Sequence, residues 1–156
     1  MVYRCPLIVV ENMETSRKFY EEILNQKVIL DFGANITFAG DYSLQTKASW
    51  ADFIDKRENE ILTQSNNFEL YFEEDNFDDF IARLQLHPIR YVHDVKEYSW
   101  GQRVIRFYDP DLNIIEVGES MCSVVKKFIA QGLSIEETSE ITQHPIGFVK
   151  SCLGKE

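Results

Sequence analysis

The stretch Phe68-Glu-Leu-Tyr-Phe-Glu73 alternates apolar and polar side chains, so Glu69, Tyr71 and Glu73 share one face of an extended segment and Phe68, Leu70 and Phe72 the other. The apolar set has to bury against a helix, which leaves Glu69 and Tyr71 on the face open to a ligand. The same parity in Ile114 to Val117 sets Glu116 with Ile114 and opposite Ile115 and Val117. A carboxylate presented this way can take a cation, act as a general base or pair with an arginine as scaffold. Phe38, Trp50, Tyr71, Tyr98 and Trp100 lie outside the helical stripes, and a subset lining a cavity would suit a flat or cationic organic ligand. His87, His93 and His144 lack chelating spacing and read as surface or turn residues. Cys5, Cys122 and Cys152 are odd in number and form no CxxC, which argues against a disulfide framework or a zinc ribbon and for reduced thiols. Cys5, beside Pro6, reads as a small buried hydrophobe.

The chain that must position these groups has 156 residues, 44% of them hydrophobic and 13% aromatic, enough for one core with an appendage. Its net charge of -10 provides no basic field for nucleic acid or anionic lipid, and a charged partner is expected to be a cation. The first apolar run, Leu7 to Val10, is far shorter than a signal or membrane segment, which implies a cytoplasmic protein.

Leu7 to Val10 reads as a buried strand, and Asn12 caps a helix over Met13 to Leu24 with Phe19, Tyr20, Ile23 and Leu24 as its stripe. Three extended pieces follow at Val28 to Phe32, Asn35 to Ala39 and Tyr42 to Gln45, separated by Gly33 and Gly40-Asp41. Ser49 to Asp55 predicts a short helix and Lys56 to Asn67 a polar loop. The order then restarts. Phe68 to Glu73 is a strand, Asp75 or Asn76 a cap, and Phe77, Phe80, Ile81 and Leu84 a helical stripe. Strands follow at Ile89 to His93, Arg103 to Tyr108 and Ile114 to Gly118, the last two joined by an Asp109-Pro110-Asp111 turn. Phe19, Tyr20 and Ile23 align with Phe80, Ile81 and Leu84 at one constant offset, which marks a duplicated strand-helix-three-strand module. The expected fold is α+β, with paired βαβββ modules forming a cupped eight-stranded mixed sheet whose concave face binds the ligand.

Leu7-Ile-Val-Val-Glu-Asn-Met-Glu-Thr-Ser-Arg-Lys-Phe-Tyr20 resembles the opening of vicinal oxygen chelate proteins, with Asn12 in place of their aspartate. Phe68 to Phe80 is similar to the start of their second module. Trp100-Gly-Gln-Arg103 and Phe107-Tyr-Asp-Pro-Asp-Leu-Asn-Ile-Ile-Glu-Val117 resemble its last hairpin, where the family usually has glycine at the position of Leu112. The resemblance covers roughly residues 5 to 119 and implies relatives such as glyoxalase I, bleomycin-resistance proteins and ring-cleaving dioxygenases. It carries the family's metal-ligand positions onto Cys5, Glu69 and Glu116, a set mixing a soft thiolate with two hard carboxylates. It also sets Arg106 at a polar cavity position, where it would face and neutralise Glu116.

These readings divide the chain into a glyoxalase/bleomycin-resistance-like domain over residues 1–120, with modules of about 1–47 and 66–120, and a helical extension over 121–156. The extension reads as helices over Ser123 to Gln131, Ile135 to Thr142 and Ile146 to Leu153, with Ser134 and Glu137 as a capping box, and looks like part of a helix-turn-helix fold. Lys126, Lys127, Lys150 and Lys155 are balanced by Glu136, Glu137, Glu140 and Glu156, so a docking or dimer-covering role is expected rather than DNA reading. The function expected is metal-independent binding of a small molecule by Glu69, Tyr71, Trp100, Arg106 and Glu116 in a homodimer, with no cofactor and no nucleic acid. The alternative is a metal-dependent lyase, isomerase or transferase similar to glyoxalase I or fosfomycin-resistance enzymes, with a divalent metal as cofactor and Glu116 and Glu69 as catalytic groups. A third reading is a metabolite-sensing regulator.

Overall fold

A computed structural model describes residues 1–64 and 66–154; Ser65, in the expected polar loop, and Lys155 and Glu156, counted in the tail's charge balance, lie outside the described residues. The chain divides into two compact units. The first comprises residues 1–68 with Asp109–Asn113, the second residues 69–108 with 114–156.

In the first unit β1 (Leu7–Val10) leads into α1 (Met13–Glu22), and β2 (Val28–Asp31), β3 (Asn35–Phe38) and β4 (Tyr42–Thr46) complete the module before α2 (Lys47–Phe53). The strands form one mixed sheet in the order β1-β4-β3-β2, β1 parallel to β4 and the other pairs antiparallel. Asn12 caps α1 by accepting from Thr15 N at 2.9 Å, a contact worth about 1 kcal/mol. Asn25, at φ +53°, turns the chain after it. Tyr20 is fully buried, its ring 5.5 Å from Phe38 and 5.8 Å from Tyr42, so the stripe of α1 is driven onto the sheet by apolar burial.

The second unit repeats the plan with β5 (Glu69–Glu74), α3 (Phe77–Leu84), β6 (Tyr91–Glu97), β7 (Arg103–Tyr108) and β8 (Ile114–Glu119), in the order β5-β8-β7-β6. Phe77, Phe80 and Leu84 of α3 are buried, as are Phe107, Ile115 and Val117 on the strands. The expected strand at Ile89 to His93 begins two residues later and runs on to Glu97. Its second half, Asp94-Val-Lys-Glu97, is a polar edge paired only with β7 and interrupted by register shifts, so no alternation marks it in the sequence. Phe68 is also corrected: it precedes β5, is 42% exposed and does not join Leu70 and Phe72 on the helix side.

The extension is three helices, α4 (Met121–Ala130), α5 (Ile135–Thr142) and α6 (Ile146–Cys152). Ser134 and Glu137 form the capping box of α5. Val125, Val149 and Cys152 are buried together, with Cys122, Ile129, Ile135, Phe148 and Leu153 packed around them. The expectation of reduced thiols fails here, because Cys122 and Cys152 are joined in a disulfide with Cα atoms 5.0 Å apart. Helix packing brings together two cysteines 30 residues apart, which a search for short CxxC spacings does not reveal.

Candidate functional site

Strand register builds the site on the face of the second sheet turned away from α3. Tyr71 of β5 lies opposite Glu116 of β8, and Glu116 opposite Arg106 of β7, so three polar side chains form one row across the sheet. Glu69 is two residues before Tyr71 on the same face. The Arg106 guanidinium closes on both carboxylates, donating from Nε to Glu69 Oε2 at 2.8 Å and pairing through Nη2 with Glu116 Oε2. Nη1 donates to Tyr98 OH at 2.7 Å and approaches His93 Nε2 at 3.3 Å. The His93 contact is satisfied by the tautomer that carries its proton on Nδ1 and donates it to Asp94 O. His93 is therefore a half-buried neighbour of Arg106 in β6, in place of the surface or turn residue expected.

Burial works against the Arg106 charge, but bonding to Glu69 and Tyr98 outweighs it and holds its pKa above the ordinary arginine value. Glu116 is 7% exposed, so its charge depends on this partner, whereas Glu69 and Tyr71 are open to solvent.

The hairpin between β6 and β7 supplies the aromatic part. Tyr98 and Trp100 stack with ring centroids 4.7 Å apart and planes 11° from parallel. Trp100 Nε1 donates to Gln102 Oε1 at 3.0 Å, Gln102 Nε2 donates to Tyr71 OH at 2.8 Å, and Tyr71 OH donates to Glu73 Oε1 at 2.9 Å. Although Tyr71 is about half exposed, partial desolvation of its hydroxyl beside Gln102 is the main reason it is pushed up to about 12; the bond from Gln102 lowers it and Glu73 raises it. Gly118 leaves room for this relay: a Cβ there would come within 2.6 Å of Gln102 Nε2.

Glu69, Tyr71, Arg106 and Glu116 are thus brought together, and Trp100 reaches them through Gln102. Gln102 and Gly118 escaped the sequence reading, since nothing in the Trp100-Gly-Gln stretch tells that the glutamine turns back onto Tyr71. Cys5 stands in the first unit, half-buried, with Sγ 3.5 Å from Ser43 Oγ.

The metal that the resemblance implies does not fit these residues. Both carboxylates of the set already bind a guanidinium, which puts positive charge where a cation would sit, and the third donor is a thiol beside a serine hydroxyl. Among the described residues no group of three His, Cys, Asp or Glu side chains is placed to hold an ion.

A duplicated βαβββ chain with mixed four-stranded sheets is the architecture of the vicinal oxygen chelate class. The sequence model of the glyoxalase-like domain matches residues 3–122, and the chain belongs to that family. A protein of unknown function from Agrobacterium tumefaciens str. C58 is 30% identical, with a TM-score of 0.68 over 77% of this chain and 94% of its own. A glyoxalase/bleomycin resistance protein/dioxygenase from Nocardioides is 17% identical (TM-score 0.60; 76% and 83% covered), and the fosfomycin resistance protein FosX from Mesorhizobium loti 16% identical (TM-score 0.55; 76% and 92% covered). The last two show the fold alone. No curated protein matches the chain. The extension from Ser123 onward lies beyond the family match.

Proposed function

We propose that this protein binds a flat organic cation on the open face of its second sheet and does so without a metal ion. The observation that carries this reading is the stacked Tyr98 and Trp100 pair, linked through Gln102 and Tyr71 to Glu73, a carboxylate of this face that accepts from a phenol rather than from the Arg106 guanidinium. Glu69, Glu73 and Glu116 set three carboxylates against Arg106 and Lys96, the latter in the cross-strand row of Glu73, Gly118 and Val104, leaving the face with a net negative charge, and the indole and phenol rings offer surfaces for a planar or cationic group. Holding a ligand there needs burial and charge matching but no reacting group.

Proflavine, a planar cation, tests the reading by titration calorimetry on chelator-treated protein. Salt-sensitive binding that weakens in Glu73→Gln and is unchanged by added zinc or manganese is expected. Preference for an anionic dye, or binding only after metal addition, refutes it and favours the metal-dependent lyase, isomerase or transferase.

A homodimer belongs to the same proposal, supported by Ile29, Leu30 and Phe32, which are 50%, 50% and 72% exposed along and just after the edge strand β2. Light scattering after size exclusion decides it. A cytoplasmic location is also proposed. Among the described residues no helix is long and apolar enough to cross a membrane.

A further inference from the structure

The hairpin bearing Tyr98 and Trp100 is held from behind by the extension. Gly101, at φ +83°, sits in its turn, and a Cβ added there would lie 2.3 Å from the Phe128 ring, so α4 packs directly on the turn backbone. Lys127 Nζ donates to Gly101 O at 2.9 Å, and fully buried Val124 completes the contact. On its other side the same turn feeds the ligand face through Trp100, Gln102 and Tyr71.

What backs α4 is the rest of the extension. Helices of 10, 8 and 7 residues are too short to persist alone, so α4, α5 and α6 rely on their shared core and on the bridge from Cys122 to Cys152. Closing a loop of that length limits the freedom of the unfolded chain and favours the packed form.

Resting on the ligand-face reading above, we propose that Cys122 and Cys152 form a redox switch for that face. With the disulfide closed, α4 seats Phe128 and Lys127 on Gly101 and holds the Tyr98–Trp100 stack in its binding position. With it open, α6 is released, α4 loses its backing and the stack loosens. Phe128 and Lys127 are positioning residues that act through Gly101. The electrons come from a dithiol: one of its thiolates attacks Sγ of Cys122, the less buried of the two residues, and Cys152 leaves as thiolate and takes up a proton. The second thiol of the reductant then resolves the mixed disulfide, leaving two thiols here and a disulfide on the reductant. In a reducing compartment such a bond is made and broken rather than permanent.

The test uses the full chain with Trp50→Phe, so that Trp100 alone fluoresces, and a Trp100→Phe chain that reports Trp50 in the first unit. Acrylamide quenching and proflavine affinity are measured before and after dithiothreitol. Reduction is expected to raise quenching of Trp100, leave Trp50 unchanged and weaken proflavine about fivefold, the low end of ordinary coupling between sites. Cys122→Ser with Cys152→Ser should match the reduced protein and ignore dithiothreitol. Phe128→Ala, with the disulfide intact, should loosen Trp100 in the same way should the serine chain fail to fold. Identical Trp100 quenching in both redox states overturns the switch, as does a change in Trp50 and Trp100 together, which marks general unfolding. Trp100 responding while proflavine binds neither form supports the mechanical coupling and refutes the ligand reading.

Discussion

Replacing Arg106 by methionine keeps much of the side chain's apolar stem and removes only the guanidinium, which isolates the electrostatic part of the site. Glu116 is then left as a carboxylate whose side chain is 9% exposed and whose cationic partner has gone. Breaking a pair of this kind costs about 3 kcal/mol, the lower end of the range for buried pairs, because Arg106 itself is 22% exposed. The Glu69 contact adds less than about 1 kcal/mol, since that carboxylate is 37% exposed and screened by water. For a chain of this length about 3 kcal/mol lowers Tm by roughly 6 to 12 °C. Urea unfolding followed by circular dichroism gives the free energy, and adding Glu116→Gln should recover about 1 to 2 kcal/mol of the loss because no buried charge is then stranded. A loss below about 0.5 kcal/mol, or strict additivity of the two substitutions, would refute the argument that Arg106 neutralises a buried carboxylate.

Burial, and after it the Asp109 carboxylate 2.9 Å away, raises the Tyr20 hydroxyl well above the ordinary tyrosine range. Its contribution to stability is therefore complete below about pH 10 and is lost as pH climbs from there toward the folded value, so Tyr20→Phe should lose less stability than wild type between about pH 9 and 11. At neutral pH the same variant should be weaker by about 1 kcal/mol for the missing hydrogen bond, and equal slopes in urea midpoint against pH would contradict the assignment. Gly118→Ala should displace Gln102 from Tyr71 and Glu119 O, weakening proflavine while the fold persists; unchanged affinity in calorimetry would detach the relay from the ligand face. Leu112 stands at φ +64°, where a leucine is strained by about 1 to 2 kcal/mol, so Leu112→Gly should leave Tm unchanged or higher, whereas Leu112→Val should lower it.

How far the sequence discloses the molecule depends on where each signal is stored. Phe19, Tyr20 and Ile23 with Phe80, Ile81 and Leu84 declare both helices and the duplication, because a buried helical stripe repeats locally. The alternation around Tyr71 gives the face of β5 for the same reason. The partners across strands are another matter: His93 beside Arg106 depends on a register shift in a polar edge strand, and Gln102 folding back to Tyr71 depends on a glycine turn. The Cys122–Cys152 bridge depends on how three short helices pack, which residue spacing does not encode. The family's glycine at the place of Leu112 is the one departure whose consequence is readable in advance, since the backbone there keeps the left-handed turn with a side chain that resists it.

The first unit is completed by residues far along the chain. Asp109 accepts from Tyr20 OH at 2.9 Å, and Asp111 accepts from Ser16 Oγ at 3.0 Å and from Glu11 N at 2.8 Å. On the ribosome, then, the first module emerges with the Tyr20 hydroxyl lacking its acceptor, and waits while about sixty more residues are made, roughly 3 to 13 s at ordinary elongation rates. The two halves follow one repeated pattern, yet a free-standing copy of the earlier half would lack the acceptors that Asp109 and Asp111 supply. A chain ended after Phe68 should emerge as a chaperone client rather than a folded ancestor of the whole.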